Sequence, residues 1–187
     1  MTQIFKSLKN HKVAEFLQNG GIGVIPTDTV FGIVGSALNK TTVENIYKLK
    51  NRSKDKPCII LILSILSLKI FGVKVDAKIR KILPRYWPGP YSIILPCKLK
   101  RFQYLHRGKK SLAFRVPKNK TLVNLLKNTG PLIAPSANPE GAKPASNISQ
   151  AKKYFSDKID FYSAGRSKMN HSKIVAINGN KIIIFRK

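Results

Sequence analysis

Helical and strand patterns alternate along the whole chain, and that alternation limits the fold more than any single residue does. Residues 12–19 place Val13, Phe16 and Leu17 at helical spacing, Gly20-Gly21 stops them, and residues 22–25 then read as a strand. Thr41 and Glu44 fit a capping box, after which Val43, Ile46, Tyr47 and Lys50 define one helical face. That helix delivers Lys50 and Arg52 at its end. Strands are expected over 91–96, 111–116 and 131–134, and a helix through Leu122, Val123, Leu125 and Leu126 that stops near Gly130. Residues 174–177 and 181–185 flank Asn178-Gly179-Asn180, a turn tolerant of positive φ, so the chain is expected to close with an antiparallel pair. A hairpin requires antiparallel neighbours, which predicts an α/β domain with a twisted mixed sheet flanked by helices. At 187 residues the chain can bury one sizeable core and is too short for two ordinary domains, so 1–187 is expected to form one.

Composition narrows the function classes. The two cysteines, Cys58 and Cys97, have no CxxC spacing, and no histidines cluster, so the expectation is two free thiols and no protein-held metal. The longest apolar run, 58–68, is broken by Ser64 and Ser67 and falls well short of the roughly 20 residues of a membrane span. A buried strand running on into a loop or short helix fits it better. The first ten residues alternate lysines with apolar residues and do not resemble a signal peptide, which predicts a cytoplasmic protein with no membrane association. The net charge of +27, from 35 Lys and Arg against 8 Asp and Glu, would attract polyanions, RNA above all. The basic residues are mostly lysines spread through an Ile- and Asn-rich chain, so AT-rich codon usage is an equal explanation.

Four runs can carry chemistry. Pro26-Thr27-Asp28-Thr29-Val30-Phe31-Gly32 is a polar turn after a buried strand, presenting hydroxyls at a sheet edge to a small polar substrate. Alone it reads first as an ordinary Asx or ST turn capping a helix. Lys50-x-Arg52-x-x-x-Lys56-Pro57 sets three cations at a helix end, where a fork and two point charges could neutralise a departing pyrophosphate or simply offset the helix dipole. Pro135-Ser136-Ala137-Asn138 follows a strand and offers a hydroxyl and a carboxamide to phosphate or ribose, while Gly141 would leave room for close backbone approach. There is neither a GxxxxGK[ST] loop nor a GxGxxG fingerprint, so any ATP is bound by another architecture. Trp87-Pro88-Gly89-Pro90 reads as a structural brace.

In this order and at these separations, PTDTVFG, KNRSKDKP, YWPGP, LAFRV, PSAN and the late GR to HSKI segment resemble the YrdC/TsaC family of threonylcarbamoyl-AMP synthases, in its short bacterial form. The resemblance implies a YrdC-like fold with a basic concave cleft. It also implies an enzyme that joins L-threonine, bicarbonate and ATP into threonylcarbamoyl-AMP and pyrophosphate, for threonylcarbamoyladenosine beside the tRNA anticodon. By that resemblance Lys50 and Arg52 are the catalytic cations, and Ser136 and Asn138 handle nucleotide and carbamate. Lys56, Arg115 and Ser172 are further nucleotide or anion contacts, and Thr27 and Thr29 are threonine contacts. Magnesium is expected with ATP, and tRNA and separate transfer proteins as partners. Pro135 departs from the family's usual threonine, losing a hydroxyl and a backbone donor. The rival is a family paralogue that works chiefly as an RNA-binding or ribosome-maturation factor.

Overall fold

The computed structural model describes residues 1–178 and 181–186. In chain order the elements are β1 (Gln3–Phe5), α1 (His11–Gln18), β2 (Gly23–Ile25), β3 (Gly32–Ser36), α2 (Lys40–Leu49), β4 (Ile59–Leu61), α3 (Ala77–Ile82) and β5 (Tyr91–Pro96). Then come α4 (Gln103–His106), β6 (Ser111–Arg115), α5 (Lys120–Thr129), β7 (Leu132–Ile133), α6 (Ile148–Phe155), β8 (Phe161–Ser163), β9 (Lys173–Asn178) and β10 (Lys181–Arg186). One sheet runs through all ten strands in the order β1-β8-β2-β3-β7-β4-β6-β5-β9-β10. It is mixed: β2 and β3, β3 and β7, and β9 and β10 pair antiparallel, whereas β4 and β6, and β5 and β9, pair parallel.

The strands alternate faces, and each face carries its own helices. Val24, Ile33, Ile60, Ile133 and Tyr162 point into a core covered by α2 and α6, through Val43, Ile46, Tyr47, Ala151 and Phe155. Their neighbours Ile25, Val34, Leu61, Leu132 and Phe161 point the other way, onto Val13 and Leu17 of α1 and Leu122, Leu125 and Leu126 of α5. Each fully buried Leu or Ile contributes about 1.5–3 kcal/mol, so the two faces fix the register of the central strands. α2 lies close on β3 because Gly35 has no side chain: a Cβ there would sit 2.3 Å from Thr42 Cγ2.

Most expected elements are present to within a residue or two. The start of α2 is a correction. Its N-cap is Asn39, whose side chain accepts from the Thr42 amide at 3.0 Å, while Glu44 is bonded to Arg107 at 2.8 Å. Asn is a stronger N-cap than Thr, and the arginine takes the carboxylate that a capping box would use. The apolar run at 58–68 becomes β4 followed by a short 3-10 turn, Ile65–Phe71. Both cysteines are free and buried. Trp87 packs into the core and donates from its indole to the Tyr91 carbonyl at 2.7 Å. In the closing hairpin Lys181 stands opposite Asn178, and Gly179 and Asn180 lie outside the described residues. No described helix is long and apolar enough to cross a membrane.

Candidate active site

The Pro26 to Gly32 run joins β2 to β3, well inside the sheet rather than at an edge strand. Its hydroxyls face inward. Thr27 Oγ1 lies 2.9 Å from Thr29 Oγ1 and donates to the Val30 carbonyl at 2.7 Å. Thr29 Oγ1 in turn accepts from Arg115 Nη1 at 2.7 Å. Arg115 ends β6 and is 3% exposed; its Nη2 lies 3.3 Å from Asp28 Oδ1, an ion pair whose alignment falls short of a hydrogen bond. Burial pushes the Arg115 guanidinium below the usual arginine range, Asp28 opposes that shift, and Arg186 adds to it.

α2 ends in a way that separates its two cations. Asn51 adopts φ 48°, the left-handed region that asparagine tolerates, and the amides of Asn51 and Arg52 return to the carbonyls of Lys48 and Tyr47. This Schellman closure turns Lys50 inward and releases Arg52 toward the cleft. The Lys50 ammonium is 2% exposed and donates to the Ser136 carbonyl at 2.5 Å and to the Asn138 carbonyl. Burial lowers it from the ordinary 10.5 to about 8. Arg52 braces its own loop, with Nε on the Lys56 carbonyl at 3.0 Å and Nη2 on the Pro57 carbonyl at 3.2 Å.

The loop that Lys50 holds is the Ser136-Asn138 run. Its bridge to Gly32 sets Ser136 beside the Thr27 turn, and the Pro135 carbonyl accepts from Ile33 at 3.0 Å. Asn138 is buried and spends its amide on the carbonyls of Pro139 and Ala142, at 2.8 and 2.7 Å. Gly141 has φ 86° with nothing within 4 Å of a would-be Cβ, so backbone conformation rather than close approach requires glycine there.

A cavity of about 100 Å³ brings Thr27, Thr29, Arg52, Arg115, Ser136 and Ser172 together. Lys50 and Asn138 lie behind its wall, and Lys56 points away, to Glu140 Oε1 at 2.6 Å. Two nitrogen-bearing side chains of the lining, His171 and Arg186, are not among the candidates the sequence offers. His171 opens the HSKI segment, whose Ser172 is the candidate there. Arg186 belongs to no motif: β10 carries it back across β9, and an irregularity between Ile184 and Arg186 re-aims it. Its guanidinium donates to the Ser172 carbonyl at 3.0 and 2.8 Å, while Ser172 Oγ lies 2.9 Å from Ser92 Oγ. Burial pushes Arg186 down, as does the like charge of Arg52. Three arginines therefore surround one cavity, and none of its lining residues is acidic. Such a site holds anions. A second hollow of about 620 Å³ shares Thr27, Thr29 and His171 with it and adds Lys118, Arg166 and Lys168.

The chain is similar to several known proteins in sequence and fold. A Pyrococcus abyssi protein named threonylcarbamoyl-AMP synthase is 29% identical over 148 residues, covering 79% of this chain and 44% of its own length. A Marinobacter nauticus protein of the same name is 34% identical over 143 residues, 75% of each chain. The Pyrococcus abyssi Sua5 structure complexed with L-threonine superposes with a TM-score of 0.90 at 25% identity, over 99% of this chain and 57% of that one. Escherichia coli YciO shares the fold at a TM-score of 0.87 and 20% identity, over 100% of this chain and 96% of that one. The chain thus spans less than two thirds of the Pyrococcus protein. The family model described as "Telomere recombination" matches residues 15–187, and the chain belongs to that Sua5–YciO–YrdC family.

Proposed function

We propose that this protein is a threonylcarbamoyl-AMP synthase. The observation that carries the reading is the cavity with three arginines, two threonine hydroxyls and two serines and no acidic lining residue. The reaction needs such a place. Threonine's amine and bicarbonate combine to a carbamate with loss of water. A carbamate oxygen then attacks the α-phosphate of ATP, and the bond to the β-phosphate breaks as pyrophosphate leaves. Two anions must meet, and converging fixed cations lower the cost of bringing them together.

In this reading Arg52 and Arg186 take the phosphates, with Ser136 and Ser172 as polar contacts. Thr27, Thr29 and Arg115 form the threonine side, Arg115 offering its fork to a carboxylate while Asp28 keeps it oriented. Lys50 and Asn138 act through the loop, holding the backbone around Ser136. No protein side chain needs to act as a covalent nucleophile. Magnesium would arrive with the triphosphate, bound by phosphate oxygens and water. The nearby carboxylate, Asp28, is already paired with Arg115, and no group of three or more His, Cys, Asp or Glu side chains among the described residues is placed to hold a metal. A cytoplasmic location, and tRNA and separate transfer proteins as the destination of the adenylate, complete the proposal. An RNA-binding role without chemistry is not favoured, since it leaves the inward-facing arginines and hydroxyls without a task.

The test is pyrophosphate release with ATP, magnesium and bicarbonate, comparing L-threonine, L-serine and no amino acid. Threonine-dependent release is expected; release equal in all three, or none from folded protein, contradicts the assignment.

A further inference from the structure

Glu140 stands between the two loops that build the cleft. Its Oε2 accepts from the Ser53 amide at 2.6 Å, its Oε1 accepts from Lys56 Nζ at 2.6 Å, and its own amide donates to the Lys50 carbonyl at 2.7 Å. One residue just beyond the Ser136-Asn138 run thus fastens the 51–57 loop at two points and the end of α2 at a third. Arg52 hangs from the same loop, because its Nε and Nη2 are bonded to the carbonyls of Lys56 and Pro57. The path from the Glu140 carboxylate to the Arg52 guanidinium is therefore Ser53 and Lys56, then the Lys56 and Pro57 carbonyls. Both partners hold the carboxylate below the usual range, the Lys56 bond first and the Ser53 amide second, so it is ionised whenever the enzyme works.

We propose that Glu140 is a positioning residue that ties the 51–57 loop to the Ser136-Asn138 loop and thereby sets the aim of Arg52 into the cleft. The proposal rests on the synthase reading for what Arg52 meets there. It does not make Glu140 important to stability. Side-chain exposures of 56% for Lys56 and 29% for Glu140 mark a surface pair, and such pairs add little to folding. What the carboxylate supplies is geometry: the Lys56 amide already returns to the Ser53 carbonyl at 3.3 Å, and Glu140 fastens that turn to the neighbouring loop. The Lys56 ammonium is thereby held on Glu140 and outside the cavity lining.

The test uses the full chain and its variants Glu140→Ala, Glu140→Gln, Arg52→Ala and the Arg52→Ala/Glu140→Ala double. Amide hydrogen exchange over residues 51–57, ATP affinity and threonine-dependent turnover are read together. Glu140→Ala should speed exchange in that loop alone and weaken ATP binding, each by about tenfold, with the melting temperature almost unchanged. Glu140→Gln keeps an acceptor for the Ser53 amide and should stay within about threefold of the parent. In the Arg52→Ala background, removing Glu140 should have no further effect on ATP affinity, because both act through one guanidinium. Unchanged loop exchange in Glu140→Ala, full additivity with Arg52→Ala, or a lowered melting temperature with unchanged ATP affinity would overturn the proposal. A parent protein that binds ATP but shows no threonine-dependent turnover would contradict the synthase reading instead, while exchange and ATP affinity still decide the role of Glu140.

Discussion

Arg52 and Lys50 sit two positions apart and do different things. Arg52 faces the cavity, and Arg52→Ala is expected to lower threonine-dependent turnover by about tenfold or more, from loss of one preorganised cation. Lys50→Ala should do comparable damage indirectly, because the carbonyls of Ser136 and Asn138 lose their shared donor. Two variants with parental turnover would sink this part of the assignment. Lys50 also carries a pH signature. Its folded value of about 8 lies below the ordinary 10.5, so below about pH 8 the buried charge destabilises the fold, and the penalty is relieved as pH rises from about 8 toward 10.5. Urea unfolding at pH 7 and at pH 9.5 should show the parent gaining stability relative to Lys50→Met at the higher pH. A difference independent of pH would show that the ammonium is not depressed. The spacing of Lys50, Arg52 and Lys56 made all three legible as cations at one helix end, although of the three only Arg52 lines the cavity. Which of them turns inward was not legible, because that depends on Asn51 in the left-handed region and on a glutamate 84 positions away from Lys56.

At the scale of elements, periodicity exposed α1, α2, α5 and the strands that alternate between two buried faces. It did not expose β1, a three-residue edge strand paired only with β8, whose identity depends on a partner 158 positions distant. Nor did it show that the threonine-bearing turn lies within the sheet, since β7 and β8 enter beside β3 and β2 by long-range pairing. Arg186 stayed hidden for the same reason: nothing local distinguishes it from other terminal basic residues. The seating of α2 on β3 is the element most open to test. Gly35→Ala would place a methyl 2.3 Å from Thr42 Cγ2 and 3.1 Å from Ile46 Cδ1, so the Thr42 side chain or α2 itself must give way. We expect a loss of about 1–3 kcal/mol in urea unfolding, together with weaker ATP binding as Arg52 moves with the helix end. A neutral substitution would mean that α2 tolerates displacement and does not fix the cation.

Across the whole molecule, a net charge of +27 far exceeds what one cleft requires. It predicts that binding of tRNA falls steeply with salt, by about a hundredfold or more between roughly 50 and 200 mM, as counterion release demands. Filter binding at several salt concentrations checks this, and a flat response would assign the charge to composition alone. The proposed chemistry is a separate matter, since it is assigned to the three arginines and the hydroxyls that line the cavity rather than to the lysine-rich surface. The most direct test of that chemistry follows carbon: the protein is incubated with ATP, magnesium, L-threonine and carbon-13 bicarbonate, and the nucleotide products are weighed by mass spectrometry. An adenylate that carries threonine and one labelled carbon is the expected product. Pyrophosphate released without that labelled adenylate, or ATP left intact by folded protein, would contradict it.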